Sequence, residues 1–466
     1  MTHDHTLTTP PLLCDGPATD TAVAAMTKLQ SAHDIELGKI PPLQAEAQQW
    51  QTREGARVSF IASHDRPMFD LSLRFRAGSV LDGPEPGLAA LVLYSLDQGT
   101  EQLEAADFAA QIEGLGAVLE TRLKTSSALI TLRCLSLPSL RNSVMQLLTD
   151  MLAHPAFRTA DVDKIRERLA FLGSAQARGT INRLLETTNA HVFKGHPYAT
   201  ASIPADISKF TGEQLRAFHQ RAYSASNLDI GLVGNLTREE AEDLVGKLVR
   251  ALPQQWVAQD LPPVAPHSPL VRHIERSSTT TRGMLTISSN VTAGDMVYPA
   301  LTLLDAILGG GYESRLIQEL RVRRGLTYAI YSSLTPHDAG SLLHILWDVA
   351  PQYRDGAAAL ISSIMRCLGD RGPSQAECDM ALNQLAGQLH KELLDKAKLA
   401  KALATYSHHG LPGNHLATYL DKLGTLTPGN LREAAQVWLR NAPEVFVSIG
   451  ADTEQLPLPE PASVDQ

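Results

Sequence analysis

Residues 68–100 read MFDLSLRFRAGSVLDGPEPGLAALVLYSLDQGT. The first eight alternate, with Phe69, Leu71, Leu73 and Phe75 apolar and Asp70, Ser72 and Arg74 between them. A period of two is the pattern of a strand. The run ends at Ala77-Gly78, passes through Gly83, Pro84, Pro86 and Gly87, and resumes as an apolar stretch. That stretch predicts a buried helix over Gly87–Gln98, since a helix apolar all round is a core helix.

Further helices are predicted over Ser139–His154 and over Ala160–Ser174, which starts with an acidic first turn. Strands followed by helices and then more strands point to an α+β (mixed α/β) fold.

The pattern occurs twice. RGMLTISSNVTAG, residues 282–294, alternates like 68–78 and also ends in Ala-Gly. Ala77 and Ala293 are 216 residues apart (293 − 77). LRAFHQRAYSASNLDIGLVGNL starts at Leu215 and LREAAQVWLRNAPEVFVSIGAD at Leu431, the same distance apart (431 − 215). Gly234 and Gly450 repeat it (450 − 234), so the three matches share one ungapped offset. A period this long is a duplicated domain rather than a solenoid repeat. Between the copies, residues 251–270 carry Pro253, Pro262, Pro263, Pro266 and Pro269. Proline fixes φ and removes a donor, so an extended linker is expected. The expected organisation is an N-terminal extension over 1–45, domains over 46–255 and 271–455 joined by a linker over 256–270, and a loose tail over 456–466.

Composition narrows the function. Apolar residues make up 44% of the 466 and charged residues 20%, ordinary for a globular chain with a sizeable core. The net charge of −9 argues against a nucleic-acid binder. No apolar run reaches the roughly 18 residues of a membrane helix. Cys14, Cys134, Cys367 and Cys378 form no C-x-x-C pair, which leaves neither a cysteine zinc site nor a redox motif. The start, MTHDHTLTTPPLLCDG, lacks the pattern of a secretory signal. A cytoplasmic location is therefore expected, or a periplasmic one if a leader has been removed.

The stretch from Ala77 to Thr100 resembles the zinc-binding frame of the pitrilysin/insulinase family of peptidases, the inverzincins. That frame reads A-G-S … G-L-A-H-L-L-E-H-M-L-F-x-G-T. Ala77-Gly78-Ser79, Gly87-Leu88-Ala89 and Gly99-Thr100 match it. The three positions that carry chemistry fall on Ala90, Leu93 and Tyr94. In H-x-x-E-H two imidazoles one helical turn apart clamp zinc, and the Glu is the general base. Alanine and leucine have no lone pair to donate. The resemblance implies a third ligand 75–80 residues on, where this chain has Phe171, with Glu167 nearby. No other such motif occurs. His3 and His5 are a terminal pair, and His408-His409 reads as a surface pair. The degenerate zinc positions predict no metal in this chain.

The second half keeps its signature. Residues 309–331, GGGYESRLIQELRVRRGLTYAIY, resemble the family's G-G-G-x-x-S-R-L-x-x-x-L-R-x-x-x-G-L-x-Y. From the residues alone, Gly309, Gly310 and Gly311 allow positive φ and close backbone approach. A helix is predicted over Glu313–Arg323, Gly325 as its C′ residue, and a strand over Leu326–Ser333. The resemblance implies that Arg321 and Tyr328 hold the substrate backbone and stabilise the transition state. The plain alternative has Arg321 capping its helix and Tyr328 packed in the strand. KGHPYATASI, residues 194–203, resembles the family's His-Pro loop, with His196 read as structural.

The profile implied is the non-zinc subunit of a heterodimeric metallopeptidase. Two such chains would close like a clam shell over a peptide, with zinc in a partner chain of the same family. The alternative is an inactive scaffold or peptide-binding protein with the same fold. Neither nucleic acid nor a membrane is expected as a partner.

Overall fold

A computed structural model describes residues 46–83, 86–174, 179–199 and 207–462. The expected N-terminal extension, with His3, His5 and Cys14, lies outside the described residues.

The first half runs β1 (Gln48–Gln51), β2 (Arg57–Ala62), β3 (Met68–Phe75), α1 (Leu88–Ser95), α2 (Ala105–Gly114), β4 (Val118–Leu123), β5 (Ala128–Leu135), α3 (Pro138–Ala153), α4 (Thr159–Leu172), α5 (Thr180–Val192), α6 (Gly212–Ala222), β6 (Leu228–Gly234) and α7 (Arg238–Ala251). The second runs β7 (Leu270–Glu275), β8 (Thr281–Ser289), α8 (Tyr298–Gly309), a π-helical turn (Ile317–Val322), β9 (Ile330–His337), β10 (Gly340–Val349), α9 (Arg354–Arg371), α10 (Gln375–Leu394), α11 (Lys396–His408), α12 (His415–Gly424), α13 (Pro428–Ala435) and β11 (Val445–Gly450).

The two sheets share one topology. Their orders are β1-β2-β6-β3-β5-β4 and β7-β11-β8-β10-β9, so the second repeats the first without β1. In each, one pair is parallel, β2 with β6 and β7 with β11, and the other pairs are antiparallel. The fold is mixed α/β, with both sheets packed by helices, as the alternation and the apolar helices predict.

Helix starts keep the offset of 216: α5 begins at Thr180 and α11 at Lys396 (396 − 180). Thr211 and Thr427, also 216 apart (427 − 211), each close a capping box on the third residue of their helix. The offset is not gapless, however. Gly234 sits against Phe69, and Gly450 sits against Thr281 in the same way. Strands β3 and β8 therefore correspond at 212 (281 − 69), and four residues are added between β8 and Ala293. Strand register follows hydrogen bonds, which a match on one Ala-Gly pair does not report.

The halves exchange helices. α5 of the first half lies on the second sheet, where Leu184 and Val192 pack with Met284, Val445 and Val447. α11 of the second half lies on β6 and β3 of the first sheet. Its approach to β6 is so close that a Cβ on Gly231 would sit 1.9 Å from the Ala400 carbonyl oxygen. The Ser59 and Ser407 hydroxyls meet across the same contact at 2.7 Å. α11 explains why both faces of β3 are dry. Phe69, Leu71, Leu73 and Phe75 face the first core, yet Asp70, Ser72 and Arg74 are also buried.

Beneath α11 the polar face of β3 joins a charged clasp. His408 places Nδ1 3.0 Å from Asp229 and Nε2 3.2 Å from Asp338. Arg57 pairs with Asp229 at 2.7 Å, and Arg74 reaches Asp338 at 3.3 Å. The Asp338 amide donates to the Tyr198 hydroxyl. The expected surface pair His408-His409 is thus half of an interior contact: the side chain of His408 is 9% exposed. His196 is structural as expected. Its Nδ1 accepts from the Tyr198 amide at 3.1 Å, which leaves Nε2 to donate to the Pro262 carbonyl at 2.9 Å.

The proline-rich segment forms neither helix nor strand between α7 and β7, but it is docked: Leu261 and Val264 pack on the cluster around α5. The tail is docked too. The Leu456 amide donates to the Gln352 carbonyl at 2.8 Å, and the Ala462 amide to the Arg323 carbonyl at 2.7 Å.

Candidate functional site

The helix in the zinc frame is built for packing. Ala90 and Leu93 of α1 are fully buried in the first core, and Tyr94 is half-buried. The Tyr94 hydroxyl accepts from the Leu123 amide at 3.4 Å. α1 packs against α4, whose Arg168 guanidinium stands 5.5 Å from the Tyr94 ring centroid. Phe171, on the last turn of α4, is 65% exposed. These residues do not fit a zinc ion. Ala90, Leu93 and Phe171 have no donor atom, and a guanidinium lies beside Tyr94. Among the described residues no group of three or more His, Cys, Asp or Glu side chains is placed to hold a metal.

One residue of this frame escaped the sequence reading. Asp82 accepts from the Gly87 and Ala89 amides, both at 2.7 Å, and so caps α1. Burial raises its carboxyl to about 6, against the pull of those two amides. The signal was available: an acid five residues before the glycine that precedes the helix.

The second-half signature builds a limb between α8 and β9. Its three glycines serve packing inside the half. A Cβ on Gly309 would fall 2.4 Å from the Ser332 amide nitrogen, and one on Gly311 as close to the Gln384 side chain. None of the three has positive φ, which corrects the expectation that they use that freedom. Gly325 does use it, with φ of 60°.

The predicted helix over Glu313–Arg323 is short and then widens into the π-helical turn, and Arg321 belongs to that turn. Such turns are frequent at functional sites. Leu316 and Leu320 anchor it in the second core. The Gly325 amide returns to the Arg321 carbonyl at 3.1 Å and the Leu326 amide to that of Leu320 at 2.8 Å, closing the turn.

The signature's other arginines are occupied. Arg315 grips Glu377 with two bonds, at 2.6 and 2.9 Å. Glu319 takes both Arg323 and Arg324. The Arg321 side chain is exposed and has no hydrogen-bond or ion-pair partner among the described residues. Tyr328 is 88% exposed and likewise unpartnered among them.

Strand β9 starts only at Ile330, so Tyr328 precedes it rather than packing within it. Neither half of the plain alternative holds: Arg321 caps nothing and Tyr328 packs in no strand. The structure brings the glycines, Arg321 and Tyr328 into one limb, while Ala90, Leu93 and Tyr94 sit on α1 of the other half. An 890 Å³ groove lined by Gln111, Asn142 and Gln146, and a 260 Å³ cavity lined by Arg276, Thr280 and Arg282, involve neither Arg321 nor Tyr328.

Comparison with known proteins agrees with this architecture. A family model described as the peptidase M16 inactive domain matches residues 209–385. The crystal structure of a peptidase M16 inactive domain from Pseudomonas fluorescens superposes with a TM-score of 0.85 at 31% identity, covering 88% of this chain and 99% of that one. The chain therefore belongs to the M16 family, the pitrilysin/insulinase peptidases. A non-peptidase homologue from Helicobacter pylori is 25% identical over 402 residues, 83% of this chain and 90% of the homologue. An uncharacterized zinc protease of Mycobacterium bovis is 28% identical over 234 residues, and the match spans about half of each chain: 47% of this one and 52% of the other.

Proposed function

We propose that this chain is the non-zinc subunit of a heterodimeric M16 metallopeptidase. In this reading residues 46–255 and 271–455 are its two pitrilysin-like domains, and together they form half of a clam shell. The partner is a zinc-bearing chain of the same family, whose metal activates the attacking water. The observation that carries the reading is the limb. Of the polar positions that match the signature, Ser314 is buried and Arg315 paired, while Arg321 and Tyr328 are exposed and without a side-chain partner among the described residues, on a backbone fixed by buried leucines.

The chemistry follows from donor geometry. The Arg321 guanidinium offers a planar fork to peptide carbonyls and holds the substrate backbone extended. The Tyr328 hydroxyl donates to the scissile oxygen as it gains charge. The glycine run of 309–311 lets α8, β9 and α10 close up behind the limb, so the two side chains project from a rigid mount. Loss of one such donor costs about 10²–10³ in rate.

The test is a titration of this chain into the zinc-bearing M16 member of the same genome, following cleavage of a quenched fluorescent peptide. Near-zero activity for each chain alone and saturation at one-to-one is the expected result. A partner fully active alone and indifferent to this chain would overturn the reading. A second reading, a catalytically inactive scaffold or peptide-binding protein, is favoured by the likeness to the Helicobacter non-peptidase homologue. It predicts peptide binding or assembly that survives loss of both Arg321 and Tyr328. As for location, no helix among the described residues is long and apolar enough to cross a membrane.

A further inference from the structure

We infer that Thr327 is a positioning residue whose hydroxyl turns Tyr328 outward. The starting point is an arithmetic conflict in the stretch Leu326-Thr327-Tyr328-Ala329-Ile330. Side chains of a strand alternate faces, so residues 326, 328 and 330 of a continuous strand share one face. Leu326 and Ile330 are buried in the second core, at 8% and 5% exposure. A strand begun at Leu326 would therefore carry Tyr328 into the core between them. The composition favours that outcome, because threonine, tyrosine and isoleucine are all strong strand formers. Tyr328 is instead 88% exposed, and Thr327, which alternation would turn outward, is 4% exposed.

The inversion has a local cause. Thr327 Oγ1 accepts from the Ala329 amide at 3.1 Å and donates to the Ala329 carbonyl at 3.0 Å. A side-chain oxygen bonded to the amide two residues on is the turn that serine and threonine build against secondary structure. It folds the backbone around Tyr328 and delays β9 to Ile330. The turn is also tied down from outside. The Asp348 amide of β10 donates to the same Ala329 carbonyl at 3.1 Å, and Arg282 holds the Asp348 carboxylate with bonds of 2.6 and 2.7 Å. Upstream, the Leu326 amide is held by the Leu320 carbonyl. Tyr328 thus stands at the apex of a short loop clamped at both ends, and the Thr327 hydroxyl is the clamp inside it.

The inference deepens the reading of Tyr328 as a substrate donor and rests on it for its effect on turnover, though not for its geometry. Two variants of the full chain separate the contributions. Thr327→Val keeps shape and strand preference and deletes the hydroxyl, and Thr327→Ser keeps the hydroxyl. Acetylation of Tyr328 by N-acetylimidazole, mapped by mass spectrometry, reads its exposure without any partner chain. Turnover with the zinc-bearing chain reads its use.

The expected result is severalfold slower labelling of Tyr328 in Thr327→Val. Its kcat should drop on the order of 10²-fold, as for a lost transition-state donor. Thr327→Ser should match the native chain in both. If Thr327→Val unfolds, Thr327→Ala, which adds no strand preference, carries the same labelling test. Native labelling in the variants lacking the hydroxyl overturns the inference. Failure of the functional reading looks different: Tyr328→Phe then leaves turnover unchanged while Thr327→Val still slows labelling.

Discussion

Helix α1 and the limb around Arg321 both keep the wording of one family, and they stand at opposite extremes of exposure. In α1 the positions that would carry zinc chemistry became core: Ala90 and Leu93 are fully buried. In the limb the named polar residues stayed in solvent, unpaired, while every neighbouring arginine found a carboxylate. Packing accounts completely for α1 and not at all for Arg321 and Tyr328. A residue that packing explains needs no further role, and one that packing does not explain is where function is to be sought.

The hardest blow to this contrast would be a tolerant α1. Leu93→Glu restores a frame residue but puts a carboxyl where no partner waits. It should cost about 4 kcal/mol or more, combining a lost buried leucine with an unsatisfied polar group. The midpoint of denaturant unfolding reads this, and an unchanged midpoint would mean that α1 is not the core helix described.

Polar residues can also be buried for structure alone, and the clasp under α11 is that third case. His408→Ala removes one of the two side chains, with Arg74, that reach both Asp229 and Asp338. The loss should be about 3 kcal/mol, at the low end for a broken buried pair because Arg57 and Arg74 remain. Equilibrium unfolding measures it, and native-like stability would show that the clasp holds nothing.

The clasp and the α1 cap should respond to acid with opposite signs. Burial would raise the Asp338 carboxyl, but the hydrogen bond and charge of His408, with Arg74, outweigh it and hold the group well below the usual range. A depressed carboxyl stabilises the fold above its unfolded pKa, about 4, and that stability is lost as pH falls further. Asp82 is raised to about 6. Its contribution is full below about pH 4 and is lost as pH rises through 6. Asp338→Asn should flatten the acid limb of the stability profile, and Asp82→Asn should remove the decline between those two values. Unchanged pH profiles in both would remove the electrostatic account of these sites.

Much of this was legible in sequence, for identifiable reasons. The limb was found because its residues are contiguous and rigidly spaced. The degeneracy of the zinc frame was legible because Ala90 has no donor atom for a metal and Leu93 no carboxylate to act as base. The duplication was visible in Leu215 and Leu431, each following a capped helix start. The clasp was not, because Arg74, Asp229, Asp338 and His408 are far apart in the chain: strand pairing sets Arg74 beside Asp229, and His408 arrives on α11, which crosses from the other half. The four-residue shift between β3 and β8 was hidden because hydrogen bonds, not residue identities, set register. The loop at Tyr328 was misread as strand because one hydroxyl overrides the preference of its neighbours.

The smallest expected effect is the one that sharpens the contrast most. Tyr328→Phe and Arg321→Ala should each change folding stability by no more than about 0.5 kcal/mol, as surface substitutions away from any buried contact do. The Tyr328 ring touches solvent on nearly all sides, and the Arg321 guanidinium breaks no bond when removed. Thermal and denaturant unfolding of the isolated chain should therefore overlay the native curves. A loss of 2 kcal/mol in either variant, roughly thirtyfold in the folding equilibrium, would mean that the side chain is structural after all. Overlapping curves together with a collapse of turnover in the complex would place the two residues in function alone, the reverse of Leu93.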